Sequence, residues 1–144
     1  MASILDVARY ILNQHGPLSA MKLQKLCYYS QAWSLVWDDE PLFGDEIQAW
    51  ANGPVTPRLY RAHKGLFTVR PRQIRGDARR LSANQRDTVD AVLRFYGNKK
   101  AYWLSQLTHK ERPWREARAG LAAGTRGNRA ITHAAMREYH ESLV

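Results

Sequence analysis

The chain has 144 residues, 44% of them hydrophobic and 10% aromatic, with a formal net charge of +9. That length and composition predict one folded domain and exclude a disordered chain, and a single cysteine excludes a disulfide framework and a four-cysteine zinc site. No apolar run approaches the ~18 residues of a membrane span, and Met1 to Asp6 lack the basic and apolar regions of a secretory signal, so a cytoplasmic protein with no membrane partner is expected.

Taken in chain order, Ser3 and Asp6 have the spacing of a helix start, and Ile4, Ala8, Ile11 and Leu12 line one face of a helix from about Ser3 to Gln14. Gly16-Pro17 stops it. A second helix runs from Ser19 or Ala20 to Trp37 and is apolar around most of its circumference, so it should cross the centre of the fold. Asp38-Asp39-Glu40-Pro41 ends it. Residues 42–50 alternate well enough to predict a strand with Phe43, Asp45, Ile47 and Ala49 on one face. Asn52-Gly53-Pro54 is a turn signal, and Thr56-Pro57 suits the start of a short helix closed by Gly65.

A second extended piece is expected at Leu66 to Val69, then a loop from Pro71 to Gly76. Ser82-Ala83-Asn84-Gln85 is a capping box opening a helix that carries Val89, Val92, Leu93 and Tyr96 and stops at Gly97. Short helices follow at about 99–108 and from Pro113, and Gly120, Gly124 and Gly127 punctuate a loop. A last helix from about Thr132 carries Ala135, Met136, Tyr139 and Leu143. The expected fold is mainly α: compact, helical and single-domain over residues 1–144, with a minor short β element.

Charge is distributed unevenly. Residues 1–57 have a net charge of −3 and residues 58–144 of +12. Between 58 and 80, Arg58, Arg61, Lys64, Arg70, Arg72, Arg75, Arg79 and Arg80 face only Asp77, and Tyr60 and Phe67 lie among them. That density suits phosphates, with rings available to stack on bases, yet no helix-turn-helix, zinc-finger or RNP signature accompanies it. Just upstream, Asp38, Asp39, Glu40, Asp45 and Glu46 form an acidic stretch able to enter a cationic cleft on a partner. A solvated helix end and loop explain the same residues.

Nothing assembles an active site. Gly120 to Gly127 lacks the Lys-Ser/Thr pair of a phosphate loop, and His133 and His140 share a helix face without a third ligand. Cys27 lies between apolar neighbours, where burial makes a thiol inert. No Gly-x-Ser-x-Gly elbow occurs. No catalytic residue, metal or cofactor is therefore expected. Five Trp and seven Tyr exceed what a small core needs, so one or two rings should belong to a recognition surface.

Several segments together resemble a known family. These are Met21-Lys-Leu-Gln-Lys-Leu-Cys-Tyr-Tyr-Ser-Gln-Ala-Trp33, Pro41-Leu-Phe43, Ile47-Gln-Ala-Trp50, Asn52-Gly-Pro-Val-Thr-Pro57, Leu59-Tyr60, Leu104-Ser-Gln-Leu-Thr-His109 and Pro113-Trp114. They are similar to the Panacea antitoxin domain, the SocA-like family that takes in phage-associated GepA-like proteins. The resemblance implies an antitoxin of a bacterial or phage toxin–antitoxin pair that neutralises a cognate toxin by direct contact. Some members act as adaptors that deliver the toxin to a cytosolic protease, and no catalytic residues come with the family. Partner contacts are expected at Trp50, Asn52, Gly53, Pro54, Arg58, Tyr60, Arg61 and Trp114, the three rings being the aromatic anchors. An acidic toxin would select Arg58 and Arg61, and a toxin with a cationic cleft would select the acidic stretch. A nucleic-acid-binding regulator is the alternative.

Overall fold

Local signals start most of the helices. In the computed structural model, which describes residues 1–144, Ser3 Oγ accepts from the Asp6 N–H while the Asp6 carboxylate accepts from the Ser3 N–H. This reciprocal cap opens α1 (Ile4–His15), and Gly16, at φ +93°, closes it. Ser19 caps α2 (Ala20–Trp37) with one bond, its Oγ accepting from the Lys22 N–H. Ser82 and Gln85 form the expected capping box on α4 (Ala83–Tyr96).

The axis of the fold is α2. Every residue from Leu23 to Leu35 is buried, and α1, α4, α5 (Ala101–Lys110) and α7 (His133–Glu141) pack around it. The buried apolar residues form one continuous cluster. No helix is long and apolar enough to cross a membrane. The remaining helices are short: α3 (Pro57–His63) and α6 (Arg112–Ala117), each with a proline in its first two positions.

Sheet structure is minor, in two antiparallel pairs. β1 (Leu18–Ser19) pairs with β4 (Thr68–Val69), and β2 (Gln48–Trp50) with β3 (Gly53–Val55). The long strand expected over 42–50 is thus cut to its last three residues, although Phe43, Ile47 and Ala49 are buried as the alternation requires. The reason is Gln31. Its Oε1 accepts from the N–H groups of Leu42 and Phe43, at 2.7 and 3.2 Å, and its Nε2 donates to the Phe43 carbonyl at 2.8 Å. A side-chain amide therefore takes the place of a neighbouring strand.

Gln24, two turns earlier, repeats the device. It accepts from the Thr56 N–H at 2.9 Å and donates to the Thr56 carbonyl at 3.3 Å, fixing the exit of β3. Two smaller departures concern the loop after Arg70, which contains single 3-10 turns at Pro71–Gln73 and Ala78–Arg80, and Leu143, which lies beyond α7 and is exposed.

Candidate functional site

Residues 129–131 return to the β2–β3 hairpin after an excursion of some eighty residues. The Ala49 N–H donates to the Arg129 carbonyl, and the Ile131 N–H donates to the Ile47 carbonyl, both at 2.8 Å. This brings the glycine-rich loop alongside the hairpin. Between them, the start of α2 and α3 enclose a groove of about 800 Å³. Its walls carry Met21, Gln24 and Lys25 from α2, Trp50, Asn52 and Val55 from the hairpin, Tyr60 and His63 from α3, and Arg126 and Asn128 from the loop.

Among the residues expected to contact a partner, Trp50, Asn52 and Tyr60 meet here. The Trp50 and Tyr60 rings touch edge to face with centroids 5.0 Å apart. Trp114 stands behind them: its Nε1–H donates to the Trp50 carbonyl at 2.8 Å, and the Arg118 guanidinium lies over its ring. It supports the hairpin and does not line the groove. Gly53 and Pro54 are buried. Gly53 sits at φ +124°, and a Cβ there would stand 2.7 Å from Lys25 Cε and 3.0 Å from its Nζ. The turn needs glycine because the lysine stem passes beneath it.

Lys25 is the unexpected member of the site. It is 1% exposed, its ammonium has no hydrogen-bond or ion-pair partner in the protein, and burial pulls its pKa down to about 8. The ion pairs of the molecule lie elsewhere. Beside it, His63 is held neutral. The Gln24 amide is oriented by its two bonds to Thr56, so its Nε2–H faces His63 Nε2, which must accept at 3.0 Å. Burial also lowers the His63 pKa. No acidic residue lines the groove.

The two charged stretches do not form separate faces. Asp45 accepts from the Ile4 N–H at 2.9 Å and pairs with Arg58 at 3.1 Å, joining a member of each stretch. Asp38 accepts from Thr88 Oγ1 on α4, Asp39 pairs with Arg137 on α7, and Glu46 accepts from Gln48. Glu40 and Arg61 are exposed. The most open rings are not the expected anchors: Phe67 is 85% exposed and Tyr102 73%, while Lys99 sits over both Phe95 and Trp103.

Cys27 is fully buried, and its thiol pKa is raised by desolvation alone. His133 and His140, though both on α7, turn to different partners, Gln31 and the Met136 carbonyl. Sequence reasoning missed Lys25, Gln24 and His63. Gln24 and Gln31, seven apart and so on one face of a largely apolar helix, were the available signal.

The family model described as "Antitoxin SocA-like, Panacea domain" matches residues 23–115. The match takes in nearly all of α2, the hairpin and α3, but not the glycine-rich loop that forms the groove's fourth wall. No curated protein and no solved structure matches the chain.

Proposed function

The chain belongs to the SocA-like Panacea antitoxin family, and from that premise we propose that it is the antitoxin of a bacterial or phage toxin–antitoxin pair, acting in the cytoplasm by direct contact and without a covalent step. The observation that carries the contact reading is the groove. It combines an aromatic edge, Trp50 against Tyr60, with apolar side chains and several polar groups, a composition suited to recognition. Tyr60 is half-buried on the short helix α3, so its ring offers area to a partner without being part of the buried cluster.

The test begins with the neighbouring reading frame. Its product should arrest growth alone, be harmless when co-expressed with this chain, and co-purify with it. Tyr60→Ala should weaken that complex by about tenfold or more, as removal of a central aromatic does, while its thermal unfolding stays near the wild type. Growth arrest that persists in the presence of both proteins removes the reading for that pair.

A second reading rests on the stretch from 58 to 80. Arg61, Lys64, Arg70, Arg72 and Arg75 are exposed and form no ion pair, and the open Phe67 ring stands among them. Such a surface suits nucleic-acid backbone with a stacked base. A duplex carrying the protein's own promoter should be retarded at low salt and released steeply as salt rises. Absence of a complex at low salt eliminates nucleic acid as a partner.

A further inference from the structure

We infer that the groove is a carboxylate-selective docking site, which takes an acidic side chain flanked by apolar residues from a protein partner and uses Lys25 as its counter-ion. The inference deepens the contact reading above by naming what enters the groove. Its basis is an incompleteness of the free protein. A buried charge is tolerated when it is paired and hydrogen-bonded, and Lys25 is neither. Its stem is pinned under Gly53, so it cannot swing out to water without disturbing the turn. The only direction left to its ammonium is the groove that it helps to line.

Charge complementarity selects the occupant. The other ionisable side chains of the groove are His63, held neutral by Gln24, and Arg126 on the loop; no carboxylate lines it. The sign required is negative. One buried cation matches a singly charged group, whereas a phosphoryl group recruits several cations or a row of main-chain N–H donors. The flanking surface is apolar and aromatic, formed by Met21, Val55, Trp50 and Tyr60, which suits side chains on either side of the acid. The volume of about 800 Å³ falls within the range of pockets that enclose a small ligand.

The experiment uses the full chain and three probes: acetyl-leucyl-glutamyl-leucine amide, the same peptide with glutamine, and inorganic phosphate. Binding is read by calorimetry and by the side-chain ε resonance of Lys25 in isotope-labelled protein. The glutamyl peptide should bind and move that resonance, and it should raise the lysine's titration midpoint towards the ordinary range. The glutaminyl peptide, and Lys25→Met with either peptide, should bind about tenfold more weakly, the loss expected of one desolvated charge pair.

Free Lys25→Met should melt at or above the wild-type temperature, because it removes an uncompensated buried charge. A melting point clearly below wild type makes Lys25 a fold contact and overturns the inference. Equal binding of the two peptides, or a resonance moved by phosphate and not by the glutamyl peptide, overturns it as well. The two readings fail separately. A toxin held equally well by Lys25→Met sinks the carboxylate site and leaves the antitoxin. Lys25-dependent capture of the peptide, with no toxin neutralised, does the reverse.

Discussion

The two ends of α2 bury ionisable groups by opposite means. At the C-terminal end, Tyr29 stacks on Tyr96 with centroids 4.1 Å apart, Trp33 donates to the Tyr96 hydroxyl, and the Tyr29 hydroxyl donates to Glu111 at 2.8 Å. Burial there pushes each acid and base towards its neutral form: Glu111 up to about 7, and His140 down to about 4. The polar atoms left without partners, the Tyr28 hydroxyl and His140 Nε2, carry no charge. At the N-terminal end Lys25 is as deeply buried, yet with its pKa near 8 it is still mostly charged at neutral pH. One end is closed and its unpartnered atoms are neutral; the other is open to a groove and holds a cation without an anion. The asymmetry sets an unpaired cation at a groove against a cluster closed off from it.

The largest expected effect tests whether the difference is one of water access. Gln31→Leu leaves the Leu42 and Phe43 N–H groups and the Phe43 carbonyl unpaired deep in the fold, and should cost about 3–4 kcal/mol, since each buried orphan costs roughly 1–3. Gln24→Leu strands the Thr56 N–H and carbonyl, but beside the groove, where water can replace the amide; about 1–2 kcal/mol is expected. Urea unfolding midpoints of the two variants decide the matter. Equal losses would mean that the groove floor is as dry as the interior, and the comparison would break.

The capping signals of α1 and α4 were legible because a cap is a matter of three or four consecutive residues, as in Ser3 to Asp6 and Ser82 to Gln85. The central burial of α2 followed from its apolar circumference. The strand at 42–50 was misjudged because Gln31, eleven and twelve positions away, satisfies the backbone that a strand partner would have satisfied. The groove was out of reach for a similar reason. It depends on residues 129–131 returning to Ile47 and Ala49, a pairing with no local signal. Lys25 gave no warning either, since a lone lysine on an apolar helix is ordinarily read as its solvated edge. Of the three rings expected as anchors from the family resemblance, Trp50 and Tyr60 line the groove, whereas Trp114 stands behind them and holds the Trp50 carbonyl.

The smaller effect sharpens the sealed end through pH. Glu111 has its folded pKa raised from 4.5 to about 7 by burial, so its contribution to stability is fully present below about pH 4.5 and is lost as pH rises through 7. His140 has its folded pKa lowered from 6.5 to about 4, so its contribution is present above 6.5 and is lost as pH falls towards 4. Between 4.5 and 6.5 the two slopes oppose, and the wild type should show little pH dependence from this pair. Glu111→Gln keeps an acceptor for the Tyr29 hydroxyl and removes one slope. At pH 8 the variant should be more stable than wild type by about 3 kcal/mol, the linkage value of a shift of this size. Near pH 4.5 the gain should vanish, and on acidification from 6.5 the variant should weaken where the wild type does not, because His140 then acts alone. Lys25 titrates identically in both proteins and cancels from the difference, so chemical unfolding at pH 4.5, 6.5 and 8 isolates the sealed end. A variant no more stable than wild type at pH 8 would mean that Glu111 is already solvated, and that the sealed end is as open as the groove.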